Sequence, residues 1–227
     1  MTLNSQYINL NKKIISCKKC QRLVTFRKKI AKEKRKQYIN EKYWGKPITG
    51  FGDISGEILL IGLAPAAHGG NRTGRVFTGD RSADFLYKCL YKAKMSNLRT
   101  SENKNDGLKL YNAYVTTALK CVPPGDKPTP LELRTCFKYF KQEIDLLRNV
   151  KIIIALGKIA FDACIQFYKE TYFLKNKDYL FAHAAKYQLP DKKILLGCYH
   201  PSPRNVNTGR INEKKMTHLF RKVLKLA

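Results

Sequence analysis

The chain has 227 residues, with 44 Lys or Arg against 17 Asp or Glu and a formal net charge of +27. Its apolar fraction of 44% argues against a disordered chain, and no apolar run approaches the roughly 20 residues that span a bilayer. The excess of cations favours a polyanionic partner, since phosphate binding releases counterions, although a lysine-rich genome would raise the charge as well.

The first 50 residues predict a basic helical segment that runs from about Ile8 to Tyr43 and breaks near the CKKC motif. Basic residues cluster between Lys12 and Lys46 and greatly outnumber the acids there. The start of the chain has no apolar core of the kind found in signal peptides. We therefore expect a soluble cytoplasmic protein with no transmembrane segment.

Four apolar runs predict buried strands, namely EILLIG, YNAYVTTALKC, KIIIALG and KKILLGCY. Helical spacing recurs between and after them, in RSADFLYKCLYKAKM, TPLELRTCFKYFKQEIDLLRNV, KIAFDACIQFYKE and MTHLFRKVLKLA. Asp80 or Ser82 is expected to cap the first of these helices and Thr129 the second. This alternation predicts an α/β fold in a single domain of residues 1–227. Its sheet is expected to be mainly parallel, with about four strands covered on both faces.

Three unusual loops follow predicted strands. GLAPAAHGGNRTGRVFTGD follows the first strand, KCVPPGDKP the second and HPSPRNVNTGR the last. In sheets of this kind, ligands bind beyond the carboxyl ends of the strands. We therefore expect the three loops to line one cleft.

The seven cysteines divide into two groups. Cys89, Cys164 and Cys198 lie in apolar helix or strand patterns and are predicted to be small core residues. The other four lie at turns and helix ends, where metal ligands can converge; they are Cys17, Cys20, Cys121 and Cys136. Four thiolates suit either an iron–sulfur cluster or a structural zinc ion, and the spacing does not choose between them.

The glycine-rich segment GLAPAAHGGNRTGRVFTGD resembles the first signature of the type B, or family 5, uracil-DNA glycosylases. The resemblance extends in order through CKKCQRLV, YWGKPITGFGD, LKCVPPGDKPTP with Cys136, IIALGKIAFDA and HPSPRNVNTGR. It implies a three-layer α/β/α sandwich and hydrolytic removal of uracil, with other deaminated bases such as hypoxanthine, from DNA. It also implies a 4Fe-4S cluster held by the four cysteines, two of which lie in the basic segment 1–50, with structural zinc as the alternative.

The resemblance suggests how the base is held and released. Phe77 is expected to stack on an extruded base, the alternative being a core Phe under the loop, and His200 to stabilise the leaving uracil by a hydrogen bond. Asn71, Asp80 and Asp126 are the candidates to hold the attacking water. Asn71 is favoured, with Asp80 assigned instead to helix capping. Further base contacts are expected from Gly62, Ala64, His68 and Asp126. The related type A enzymes carry an acid where this chain has Ala64, and type B enzymes usually carry Asn where it has Asp126.

The remaining predictions concern the DNA. The loop from Pro201 to Arg210 is interpreted as a clamp that enters the minor groove. The residues expected to contact DNA are Arg72, Arg75, Ser202, Arg204, Asn205, Asn207 and Arg210. His183 and His218 fall outside the three loops and are expected to have no catalytic role. A nucleoid-associated monomer is expected. The main alternative is a non-catalytic nucleic-acid binder with an iron–sulfur or zinc site and a phosphate-binding glycine loop.

Overall fold

A six-stranded sheet forms the centre of the computed structural model, which describes residues 2–227, with residue 176 in its backbone alone. The strands are β1 (Phe51–Gly52), β2 (Ile58–Gly62), β3 (Ala113–Thr117), β4 (Ile152–Leu156), β5 (Lys186–Gln188) and β6 (Ile194–Cys198). They run in the order β1-β3-β2-β4-β6-β5. The four inner strands are parallel, as the apolar runs predict, and the short edge strands β1 and β5 are antiparallel to their neighbours.

Eight α-helices are found among the described residues. They are α1 (Leu3–Ile15), α2 (Gln21–Glu33), α3 (Gly70–Thr73), α4 (Arg81–Lys92), α5 (Pro130–Leu146), α6 (Lys158–Lys169), α7 (Pro203–Asn207) and α8 (Glu213–Leu224). Short 3-10 turns lie at Lys36–Tyr38, Pro124–Asp126 and Asn176–Asp178. The basic N-terminal segment thus ends its second helix at Glu33, ten residues before the predicted Tyr43, because Lys34 has a φ of +55° that no α-helix can accommodate.

Side chains of the inner strands alternate between two apolar layers, which makes the fold the three-layer α/β/α sandwich that the resemblance implies. In β2, Ile58 and Leu60 face the layer beneath α4 and α8, whereas Leu59 and Ile61 face the layer beneath α5 and α6. The three cysteines predicted to be core residues are all buried within these layers, namely Cys89, Cys164 and Cys198.

Two predicted caps fix the helices that follow the first two loops. The Asp80 carboxylate accepts the N–H of Ala83 at 3.0 Å, so α4 begins directly after the glycine-rich loop. Thr129 and Glu132 form a reciprocal capping box at the start of α5. Each loop is thereby tied to a helix that packs on the sheet. Among the described residues, no helix has both the length and the apolar character needed to cross a membrane.

Candidate active site

The three loops leave the sheet at the carboxyl ends of β2, β3 and β6, as the pattern predicts. Gly62 and Thr117 are paired in the register of β2 and β3, so the first two loops start side by side. The third loop starts after Cys198, two strands away across β4. The turn after β4 lies between them, because the N–H of Gly157 donates to the Cys198 carbonyl at 2.8 Å.

Phe77 from the first loop and His200 from the third have neighbouring, tilted rings. Their ring centroids are 6.0 Å apart and the ring planes are inclined by 33°. A Cβ placed on Gly62 would lie 2.7 Å from the Phe77 ring, so a residue with a side chain would displace the ring from the end of β2. Phe77 also has a φ of +44°, which is strained for an aromatic residue. The ring is therefore held over the strand end at a cost in backbone energy, as is common at functional positions.

His200 is held through its backbone. Its carbonyl accepts the side-chain amide of Asn205 at 2.9 Å, and its Cβ lies 3.5 Å from the position a Cβ would take on Gly157. Burial lowers the pKa of the His200 imidazole to about 4. The ring is therefore neutral at physiological pH and carries one N–H, which can donate a hydrogen bond.

Thr117, which the sequence did not mark as functional, ends β3 near the Phe77 ring. The residue is 1% exposed, and its Oγ1 has no hydrogen-bond partner among the described residues. Its Cγ2 and the Phe77 ring both border the space where a Gly62 side chain would be. A buried hydroxyl without a partner is costly, so Thr117, whose methyl group lies near the Phe77 ring, is a candidate for a ligand contact. A polar residue at the last position of a predicted strand is the signal that would have found it.

His68 lies at the other side of the first loop, in a groove that reaches the third loop. Its Nδ1 is 3.0 Å from the Tyr43 hydroxyl, and burial together with the nearby Arg35 and Arg72 lowers the pKa of the ring. The groove has a volume of about 510 Å³. Its lining includes Arg35, Arg81, His68 and Pro203 together with the two acids Asp80 and Asp84. The groove therefore joins the first loop to the third and carries charges of both signs.

Arg72 and Arg75 are not placed to contact phosphates as predicted, because both are buried in ion pairs. Arg72 binds Glu41 at 2.6 Å and donates to the carbonyls of His68 and Gly79. Arg75 binds Asp106 through two N–H groups, at 2.6 and 2.8 Å. Both residues brace the glycine-rich loop from within. Sequence alone could not show this, since each acid lies 31 positions from its arginine.

The other predicted contacts from the first two loops differ in exposure. Asn71 is buried, and its side-chain amide donates to the backbone carbonyl of Arg27 at 3.3 Å. Ala64 is partly buried and packs against the apolar cluster around the four cysteines. Asp126 lies on an exposed turn with a φ of +57°. No hydrogen bond found within residues 2–227 joins the Asp126 carboxylate to Phe77 or His200.

In the third loop, three of the predicted DNA contacts are exposed, namely Arg204, Asn207 and Arg210. Asn205 instead faces inward onto the His200 carbonyl, and Ser202 caps the short helix α7. His183, expected to lie away from the loops, stacks on Tyr199, and its Nδ1 accepts the Tyr199 N–H at 3.4 Å. It therefore lies next to the third loop.

Cys17, Cys20, Cys121 and Cys136 line one small cavity, together with Arg27. Arg27 donates to the Cys121 sulfur at 2.9 Å, and the backbone N–H of Lys120 donates to the Cys136 sulfur at 3.3 Å. In the described part of the chain, no group of three or more His, Cys, Asp or Glu side chains is arranged closely enough to hold a metal ion. The donor set, with four soft sulfur ligands and N–H groups directed at two of them, nevertheless fits an iron–sulfur cluster or zinc.

Comparison with known proteins gives consistent matches. The model of the uracil DNA glycosylase superfamily matches residues 49–224. A type-5 uracil-DNA glycosylase of Thermus thermophilus is 41% identical over 214 residues, which cover 94% of this chain and 95% of the relative. The Mycobacterium leprae protein of the same name is 41% identical over 96% of this chain and 94% of its own. The Pyrobaculum aerophilum protein of that name is 35% identical over 95% of this chain and 91% of the relative.

Proposed function

The chain belongs to the type-5 family of the uracil-DNA glycosylase superfamily, and from that premise we propose that it hydrolyses the N-glycosidic bond of uracil in DNA, leaving an abasic site for repair. The observation that carries this proposal is the juxtaposition of Phe77 and His200 at the carboxyl edge of the sheet. A phosphate-binding loop would need neither ring in that position.

An enzyme that acts on a base within a duplex must extrude it and offset the lost stacking. Phe77 supplies the platform, since an aromatic face receives any base and contributes about 1–3 kcal/mol of stacking. Its ring is 9% exposed and is fixed by the strained backbone and by contact with Gly62. Little side-chain entropy remains to be lost when the base arrives.

His200 stabilises the leaving group. Uracil departs with negative charge on its carbonyl oxygens, and a hydrogen bond to that charge strengthens as the glycosidic bond breaks. The neutral imidazole donates its one N–H to this oxygen, and Asn205 holds the His200 backbone in place. A donor fixed before the reaction pays no reorganisation cost during it.

Thr117 supplies a second contact to the polar edge of the base. Its hydroxyl is buried and without a partner in the described chain, and the methyl group of the same side chain borders the same space as the Phe77 ring. Deamination replaces an amino group of cytosine or adenine by a carbonyl oxygen. Donors such as Thr117 and His200 therefore suit uracil and hypoxanthine and disfavour the parent bases, which would leave the buried donors unpaired.

Asn71 remains our candidate for the residue that positions the attacking water. The Arg27 carbonyl holds its amide nitrogen, which leaves the amide oxygen as the acceptor for a water proton. Ala64 cannot accept a proton, so the reaction depends mainly on leaving-group stabilisation.

The DNA backbone is proposed to follow the groove between the first and third loops. Arg35 and Arg81 line that groove, and the exposed Arg204 and Arg210 continue the basic surface along the third loop. Arg81 is the first residue of α4, where a cation opposes the helix dipole, and a bound phosphate would relieve that cost. A monomer that acts on nucleoid DNA is part of the proposal.

The four cysteines are proposed to hold a 4Fe-4S cluster, with structural zinc as the alternative. The support is the shared cavity and the N–H groups directed at the Cys121 and Cys136 sulfurs. A bound cluster would supply covalent links between the basic N-terminal helices and the loop after β3. No redox step is needed for hydrolysis of the glycosidic bond.

The direct test uses an end-labelled duplex with one uracil, incubated with anaerobically purified protein and then treated with alkali to cleave abasic sites. We expect a single break at the uracil, a weaker one at hypoxanthine and none in the matched unmodified duplex. Tight, salt-sensitive binding without any break would instead support the non-catalytic alternative. Iron, sulfide and zinc analysis of the same sample distinguishes the two cofactors.

A further inference from the structure

Arg27 is a buried cation with no acidic partner. The residue lies on α2 and is 3% exposed, and none of the ion pairs found among residues 2–227 involves it. Its Nε is also without a hydrogen-bond partner in the described chain. A guanidinium removed from water normally requires a nearby negative charge, because its desolvation costs several kcal/mol.

The groups that Arg27 does contact belong to the proposed cluster site. Its Nη1 donates to the Cys121 sulfur at 2.9 Å and its Nη2 to the Cys17 carbonyl at 3.1 Å. These two cysteines are 104 positions apart in the chain. Metal-bound thiolates would provide the negative charge that Arg27 lacks, and the guanidinium would in turn stabilise them.

The backbone of Arg27 reaches the candidate active site. Its carbonyl accepts the side-chain amide of Asn71, which lies in α3 within the glycine-rich loop. Gly45 adds a second link, because its N–H donates to the Asn71 carbonyl at 3.0 Å. A Cβ on Gly45 would lie 2.9 Å from the Ala31 side chain of α2, so the two segments are in close contact.

We infer that Arg27 is a positioning residue that couples the four-cysteine site to the glycine-rich loop, with its guanidinium on the Cys121 sulfur and its carbonyl on Asn71. This inference rests on the proposed function and cluster. Metal-bound thiolates would hold the guanidinium through their charge, and with it the part of α2 that orients Asn71. Loss of either end lets this part of α2 move relative to the loop.

The test compares Arg27→Gln and Arg27→Lys with Lys28→Gln, which removes an equal charge from the exposed face of the same helix. Three quantities are measured on anaerobically purified protein: iron content, the reduction potential of the cluster and the single-turnover rate of uracil excision. Arg27→Gln is expected to lower iron retention under a chelator by about 10-fold, since outer-shell partners typically contribute this much. Its remaining cluster should have a more negative potential, because a cation and an N–H···S bond are lost.

The iron-loaded fraction of Arg27→Gln is expected to excise uracil more slowly than wild type with little change in DNA affinity. The excision rate of Arg27→Lys should lie between those of wild type and Arg27→Gln, because Lys keeps the charge but cannot reach both the Cys121 sulfur and the Cys17 carbonyl. If Arg27→Gln does not fold, Arg27→Lys is compared with wild type in its place. Lys28→Gln should retain the wild-type potential and excision rate.

The inference would be overturned if both Arg27 variants had the iron retention and the reduction potential of wild type. It would also be overturned if wild-type protein bound no iron. An unchanged excision rate in iron-loaded Arg27→Gln would overturn the coupling to Asn71. The proposed activity fails separately, if wild-type protein loaded with iron releases no uracil.

Discussion

The rings of Phe77 and His200 lie 6.0 Å apart although the residues are separated by 123 positions in the chain. The sheet brings them together, because Phe77 lies in the loop after β2 and His200 follows the end of β6. The resulting pair combines an apolar face with a neutral hydrogen-bond donor. These are the two elements that an enzyme needs to capture a flat, polar-edged base.

Replacement of Phe77 by Ala removes the proposed stacking surface. We expect the single-turnover excision rate at limiting enzyme to fall by about 5- to 150-fold, which corresponds to 1–3 kcal/mol of lost stacking. Phe77→Tyr should keep most of the activity. Phe173→Ala is the matched control, since that Phe is fully exposed. Equal rates for Phe77→Ala and wild type would reject the stacking role.

Replacement of His200 by Ala removes the proposed donor to the leaving oxygen. The maximal excision rate is expected to drop by about 10²- to 10³-fold, as for the loss of one oxyanion donor elsewhere. DNA affinity should change little, because the bond strengthens only in the transition state. His218→Ala changes an exposed His on α8 and serves as control. Equal losses of rate and affinity in His200→Ala would contradict a role in leaving-group stabilisation.

Thr117 and Thr116 form a matched pair at the end of β3. Thr117→Val removes a buried hydroxyl without a described partner, so we expect unchanged or higher thermal stability with excision slowed by about 10-fold. Thr116 donates to Glu143 at 2.6 Å, and its Oγ1 accepts the Lys120 ammonium at 2.7 Å. Thr116→Val should therefore lower the melting temperature. A normal excision rate in Thr117→Val would remove it from the base site.

The sequence predicted most of the architecture that positions this site. The continuous apolar runs predicted the inner strands, the caps at Asp80 and Thr129 predicted the starts of two helices, and the strand pattern predicted that the three loops leave the same edge of the sheet. The edge strand β1, of two residues, was missed because so short a segment carries no periodic signal.

The roles of individual polar residues were harder to predict. Arg72 and Arg75 lie in a glycine-rich loop whose composition suggests phosphate binding. Their charges are instead neutralised by Glu41 and Asp106, which come from distant segments. Local sequence does not reveal such long-range pairing. The same limit hid Thr117, whose significance lies in an unpaired hydroxyl, and Arg27, whose contacts come from three different parts of the chain.

Arg35→Ala and Arg81→Ala test the path of the DNA backbone. Each is expected to weaken binding of uracil-containing and unmodified duplexes alike and to reduce the slope of log affinity against log salt by about 1. Arg148→Ala removes the same charge beside the start of β4, at the opposite edge of the sheet, and should have a smaller effect. A loss confined to the uracil duplex would contradict a phosphate contact.

The depressed pKa of His200 makes a prediction about pH. Burial lowers this pKa to about 4, so the neutral ring should persist as the pH falls from 8 to about 5. We therefore expect the single-turnover excision rate to show no rise on acidification over this range and to fall only as the pH nears 4. His200→Ala should lack that final fall. A rate that increases below about pH 6.5, the ordinary pKa of His, would show that the imidazolium is the active form.

The same shift determines how stability depends on pH. The unfolded chain binds a proton at His200 with a pKa of about 6.5, whereas the folded chain does so only near 4. Between these values the unfolded state holds more protons, so stability is lost as the pH falls from about 6.5 towards 4. Urea unfolding at pH 7 and pH 5 should therefore show a smaller acid-induced loss in His200→Ala than in wild type. An equal loss in both proteins would mean that the His200 ring is solvated in the folded state, which would remove the reason for treating it as a neutral donor.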